Sequence, residues 1–118
     1  MVNKLDSAIL TVDDSPFMRG LRKSVLDAGY SVVTARTGAK ALEIIRAMPV
    51  RLVVVHDSLS DMTGESVCRA IHQIKPSIPL LLFSERSQSA SYYSVLPRTI
   101  SPDDLIERID QLLSHVAI

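Results

Sequence analysis

The sequence predicts an α/β domain in which a parallel sheet is wound on both faces by helices. Short β-branched or leucine-rich runs recur along the chain, and each of the first four is followed by a connecting segment, helical in three of them. The runs are apolar at nearly every position rather than alternating, as in strands buried on both faces. Strands separated by helices pair in parallel through right-handed crossovers, the doubly wound arrangement.

Ala8 to Val12 reads as the first strand, ended by the acidic pair Asp13-Asp14. Ser15-Pro16 follows as an N-cap and a proline at the first helical position, where its missing N–H costs nothing. Phe17, Met18, Leu21, Val25 and Leu26 share one face of that helix, and Gly29 stands where a helix stops. Ser31 to Ala35 is the second strand, and Ala39 to Met48 the second helix, with Leu42, Ile45 and Met48 inward. Arg51 to His56 is the third strand. A loop from Asp57 to Thr63 leads through Gly64 into a third helix carrying Val67, Ile71 and Ile74. Pro76 and Pro79 bracket the turn into the fourth strand, Leu80 to Phe83. Ser84 to Ser91 is polar, Tyr92 to Leu96 reads as the fifth strand, and Ser101-Pro102-Asp103-Asp104 opens a last helix with Leu105, Ile109 and Leu112 on its core face.

A chain of 118 residues allows one domain, 1–118, with its core from Ala8 to Leu113. Apolar residues form 47% and charged residues 22%, a foldable balance. Thirteen basic residues cancel thirteen acidic ones, so nothing draws the domain to nucleic acid or anionic lipid. Cys68, the only cysteine, excludes an internal disulfide and a structural zinc site and reads as a small core residue. Apolar runs fall far short of a membrane span, and Asp6 and Asp13 interrupt any signal-peptide core, which points to the cytoplasm. His72 reads as a solvated helix-surface position.

Ligands of open parallel sheets bind beyond the carboxyl ends of the strands. There the chain places Asp13 and Asp14, His56 and Asp57, Ser84, and Leu96-Pro97. Together with Val12-Asp13-Asp14-Ser15-Pro16, Ala35 to Gly38 with Ala41-Leu42-Glu43, the valine run before Asp57, Met62-Thr63-Gly64 and Ile78-Pro79, these residues resemble the receiver domain of bacterial response regulators. The resemblance covers nearly the whole chain. It implies a flavodoxin-like sheet of order 2-1-3-4-5. It also implies a magnesium ion at the acidic pair, an aspartate phosphoacceptor ending the third strand, a hydroxyl ending the fourth, and an aromatic switch and a lysine in the fifth.

Carried over by residue, Asp13 and Asp14 match the acidic pair, Ser84 the hydroxyl and Tyr93 the aromatic switch. Counting back from Gly64 by the family's spacing gives His56 at the acceptor position. Asp57 is the fallback acceptor, but side chains alternate along a strand, so a one-residue slip would point it away from the pocket. The lysine position is Leu96, and the usual proline after the acceptor is Ser60. Imidazole removes an anionic ligand from a site meant for magnesium, and leucine supplies no charge for phosphoryl oxygens. Ordinary aspartyl phosphorylation and a bound magnesium ion are therefore not expected, and no other cofactor is implied. A histidine bonded to Asp13 or Asp14 would replace the missing cations.

The expected function is a receiver that signals by contact with a histidine kinase or output protein rather than by catalysis. The alternative is a metal- or pH-responsive sensor on the same scaffold, using His56 with Asp13 and Asp14. A flavin-type redox carrier is disfavoured, because the two aspartates would repel a cofactor phosphate. Receivers have a full helix between the fourth and fifth strands, whereas Glu85 to Ser91 allows two turns at most, at about 1.5 Å per residue. That fourth helix is expected to be shortened or missing. Strand-four side chains and Tyr92 or Tyr93 would then be partly exposed, making the strand 4, strand 5 and last-helix face a surface for a homodimer or partner.

Overall fold

The computed structural model describes residues 8–13, 15–85 and 89–116, with side chains to 114. Within them the chain runs β1 (Ala8–Val12), α1 (Pro16–Asp27), β2 (Ser31–Ala35), α2 (Gly38–Ala47), β3 (Leu52–His56), α3 (Gly64–Ile74), β4 (Leu80–Phe83), β5 (Ser94–Leu96) and α4 (Pro102–Val116). All strand pairs are parallel and the order is β2-β1-β3-β4-β5, the doubly wound topology. Val12 pairs with Ala35 and Val55, Val55 with Leu82, and Phe83 with Leu96. The strand ends are thus level, and Asp13, His56 and Ser84 follow one another along one edge of the sheet.

Alternation divides the core into two layers. Leu10, Val12, Val53, Val55, Leu80 and Leu82 face Ala41 and Ile45 of α2 and Val67, Cys68 and Ile71 of α3. Ile9, Leu52, Val54, Leu81, Phe83 and Leu96 face Met18, Leu21 and Val25 of α1 and Leu105, Ile109 and Leu113 of α4. Each such side chain removed from water contributes about 1.5–3 kcal/mol, which is why five consecutive buried residues make β3 the axis of the fold. Hydroxyls of Ser15, Thr37 and Thr63 cap the first three helices by accepting N–H bonds from Met18, Lys40 and Ser66. Gly29 ends α1 with φ of 100°, a conformation open to glycine.

Several elements differ from expectation. β5 begins at Ser94, because Tyr92 and Tyr93 lie in a turn closed by an antiparallel bridge between Ala90 and Tyr93. No helix joins β4 to β5 among the described residues, of which 86–88 are not part. Yet β4 is buried at all four positions, not partly exposed. Tyr93, 9% exposed, folds into the core layer of α2 and α3. His72 is not simply solvated either: its ring stacks on Tyr92 with centroids 4.4 Å apart. The first turns of α2 and α3 start at Gly38 and Gly64, one and zero residues from the positions expected.

Candidate functional site at the strand ends

Parallel pairing of Val12 with Val55 sets the next residues, Asp13 and His56, side by side. Nδ1 of His56 lies 3.8 Å from Oδ2 of Asp13 and 3.6 Å from Oδ1 of Asp57. The imidazole is buried, 6% exposed, so its contacts fix its role more than solvent does. Nδ1 accepts the Ser58 N–H at 3.3 Å when unprotonated, and reaches the Ser58 carbonyl at 3.4 Å as a donor when protonated. The ring also faces Phe17 at 6.3 Å between centroids, and Phe17 meets Phe83 edge-on at 5.0 Å.

Asp13 carries φ of 113°, a left-handed conformation that a residue with a Cβ adopts at a cost. Its N–H donates to the Ala35 carbonyl at 2.8 Å, which holds the backbone in place. Asp14 lies outside the described residues, so its part in an acidic pocket is not located. Among the described residues no group of three histidine, cysteine, aspartate or glutamate side chains is arranged to hold a metal ion.

Asp57 does not point away from this cluster. It follows the last residue of β3, and once the chain leaves the strand the alternation of faces no longer applies. Its backbone is tied down by N–H donation to Phe83 and by acceptance from Gly64. Its Oδ1 is buried without a hydrogen bond among the described residues and stands 3.9 Å from a guanidinium nitrogen of Arg98. Arg98, whose guanidinium carbon is 6.0 Å from the Phe17 ring centroid, is the site residue that sequence reasoning missed. The available signal was a cation immediately past Pro97, two positions beyond Leu96.

The remaining positions are packed. Ser84 is buried at the end of β4, its N–H bonded to the Leu96 carbonyl at 3.3 Å. Leu96, 5% exposed, sits in the α1–α4 layer. Burial, followed by the nearby charge of Glu65, raises the Tyr93 hydroxyl above its ordinary value. The same two causes push the Cys68 thiol up to about 12, so it is an inert core group. Across the loop from the cluster, the Asp61 carboxylate accepts the Gly38 and Ala39 N–H groups at 2.9 Å each, pinning the β3–α3 loop to the start of α2. These bonds hold Asp61 below the usual carboxylate range.

The profile of the response regulator receiver domain matches residues 9–110. The transcriptional regulatory protein GlrR of Escherichia coli (strain K12) is 27% identical over 92% of this chain and 27% of its own length. The response regulator MprA of Mycobacterium sp. (strain KMS) is 30% identical over 92% of this chain and 51% of its own. The chain thus spans between about a quarter and a half of these curated relatives. Among solved structures, the response regulator TrrA of Thermotoga maritima superposes with a TM-score of 0.75 at 28% identity, covering 91% of this chain and 99% of that one. No helix among the described residues is long and apolar enough to cross a membrane. With a profile match over most of its length on this fold, the chain belongs to the response regulator receiver domain family, the signalling modules of two-component systems.

Proposed function

We propose that this receiver signals without phosphorylation, as a cytoplasmic module that a histidine kinase or output protein reads by contact. The observation that carries this reading is the buried imidazole of His56 at the end of β3, lodged between the carboxylates of Asp13 and Asp57. Phosphoryl transfer to an aspartate needs a free carboxylate and cations around the equatorial oxygens. Here imidazole stands at the acceptor position, Leu96 is packed where the family's lysine would be, and Arg98 already faces Asp57. Tyr93, buried against α3 and β4, supports one fixed arrangement rather than a switch.

A site without magnesium is supported by the surroundings of the buried Asp57 Oδ1: that ion takes oxygen ligands in near-octahedral geometry, whereas among the described residues nitrogens of His56 and Arg98 stand beside this oxygen. The solved relative TrrA was captured with magnesium and beryllofluoride, so that complex supplies the test. Amide spectra of this chain should be unchanged by magnesium with beryllofluoride, while the His56→Asp, Leu96→Lys double variant should respond. Shifts of wild type around Asp57 would overturn the reading. Stabilisation by zinc or nickel, but not magnesium, would favour the metal-responsive alternative built on His56 with Asp13 and Asp14.

For the contact surface we assign the β4, β5 and α4 face. A depression of about 200 Å³ there is lined by Leu80, Tyr92, Tyr93 and Leu112, and β5 is a three-residue edge strand. A second copy is the partner tested first, by light scattering across a concentration series of wild type and Tyr92→Ser. Tyr92 is the better probe because Tyr93 is buried.

A further inference from the structure

The α1–α4 side of the sheet carries two adjoining depressions. One, of about 370 Å³, is walled by Phe17, Leu21, Phe83 and Leu105, with Gly20 and Ser24 on its α1 side. The other, of about 470 Å³, meets it at Ser24 and Pro102 and presents the carboxylates of Asp27, Asp103, Glu107 and Asp110. Among the described residues no lysine or arginine lines either one. Lys23 pairs with Asp27 at 3.4 Å, and the Tyr30 hydroxyl donates to Asp110, while Asp103 and Glu107 are exposed. The groove is therefore apolar at one end and anionic at the other.

Gly20 is the telling residue. It lies in the interior of α1, where glycine costs about 0.5–1 kcal/mol relative to alanine. Its conformation does not require glycine, and a Cβ built there meets nothing within 4 Å. The fold itself therefore gives no reason for the missing side chain. A larger residue would instead narrow the apolar depression, whose volume and lining suit a small organic ligand.

The geometry points to a binding site for a small amphipathic amine, its apolar body between Phe17, Phe83 and Leu105 and its ammonium toward Asp103 and Glu107. Such a ligand would press on the wall that separates the groove from the His56 cluster. Phe17 touches that cluster, and Phe83 pairs in register with His56. The site gives the domain an input that does not pass through a phosphoryl group, and it stands independently of the function proposed above.

The test compares 4-phenylbutylamine, 4-phenyl-1-butanol and 4-phenylbutyric acid, which share an apolar body and differ in charge, by amide chemical-shift titration. The amine should shift α1 and α4 resonances around Gly20, Ser24 and Leu105 and bind about fivefold tighter than the alcohol, as one solvent-exposed ion pair allows. The acid should bind more weakly than the alcohol. Gly20→Leu should abolish binding of all three, with Ser24→Met as the second blocking variant should the first not fold. Asp103→Asn with Glu107→Gln should reduce the amine to the alcohol's affinity. Absence of binding at millimolar amine, equal affinity for the three compounds, or binding undiminished in both blocking variants would each overturn the proposal.

Discussion

The guanidinium of Arg98 stands 3.9 Å from Oδ1 of Asp57, reaching it from beyond Pro97 rather than from the position of Leu96. A cation thus stands at the strand ends, while Leu96, the last residue of β5, is apolar and buried. The pair joins the β5–α4 connection to the end of β3. Because Arg98 is about half exposed, its attraction is screened by solvent.

Removing that cation should cost a modest amount. Arg98→Ala is expected to lower unfolding free energy by about 0.5–1 kcal/mol, and less at high salt. The effect should largely vanish in an Asp57→Asn background. A denaturation double-mutant cycle with no coupling would show that the two residues are neighbours only.

Backbone strain at Asp13 gives a second expectation. A residue with a Cβ at φ of 113° is disfavoured, whereas glycine is not. Asp13→Gly should therefore be more stable than Asp13→Ala by about 1 kcal/mol, although both lack the carboxylate. Equal midpoints in urea would mean that the backbone relaxes once the carboxylate is gone.

Of the three glycines in the described helices, Gly20 and Gly64 should answer alanine in opposite ways. A Cβ on Gly64 would lie 2.5 Å from the His56 carbonyl oxygen and 2.8 Å from Asp57 Cα, backbone atoms that cannot step aside. Gly64→Ala is expected to cost about 2 kcal/mol through overpacking. Gly20→Ala should stabilise by about 0.5–1 kcal/mol, since nothing opposes it. Thermal unfolding of the two variants beside wild type checks both signs.

Asp61 predicts a pH dependence. Its folded-state pKa is lowered by the Ala39 and Gly38 N–H bonds, so its stabilisation is present above the unfolded carboxylate value and is lost as pH falls through the folded one. Wild type should exceed Asp61→Asn in thermal midpoint at neutral pH, and the gap should close in acid, below the ordinary carboxylate range. A gap constant with pH would show that the carboxylate's charge contributes nothing to the cap.

The order of strands and helices was legible because burial on both faces leaves a local signature: β3 and β4 read as unbroken apolar runs and are buried at every position. Ser15, Thr63 and Gly29 likewise act on their own neighbours. Contacts between distant segments were not legible. Asp61 caps a helix that begins 23 residues earlier, and Arg98 faces Asp57, which lies past the end of β3, where strand periodicity no longer applies. The turn at Tyr92 and Tyr93 was missed for a related reason, since the bridge from Tyr93 to Ala90 turns the chain before the strand begins. His56 was expected to bond Asp13 or Asp14; Asp13 comes within 3.8 Å of its Nδ1, beyond hydrogen-bond distance, and Nδ1 meets the Ser58 backbone instead. The nearer approach of Asp57 depended on how the loop leaves β3.

The most direct test of a receiver that works without phosphorylation is intact-protein mass spectrometry after incubation with acetyl phosphate and magnesium. With His56 between the two carboxylates and Leu96 in the core, the mass should remain that of the unmodified chain, while His56→Asp, Leu96→Lys gains one phosphoryl group. A phosphoryl adduct on wild type, mapped to Asp57, would contradict the account and make Arg98 its cation.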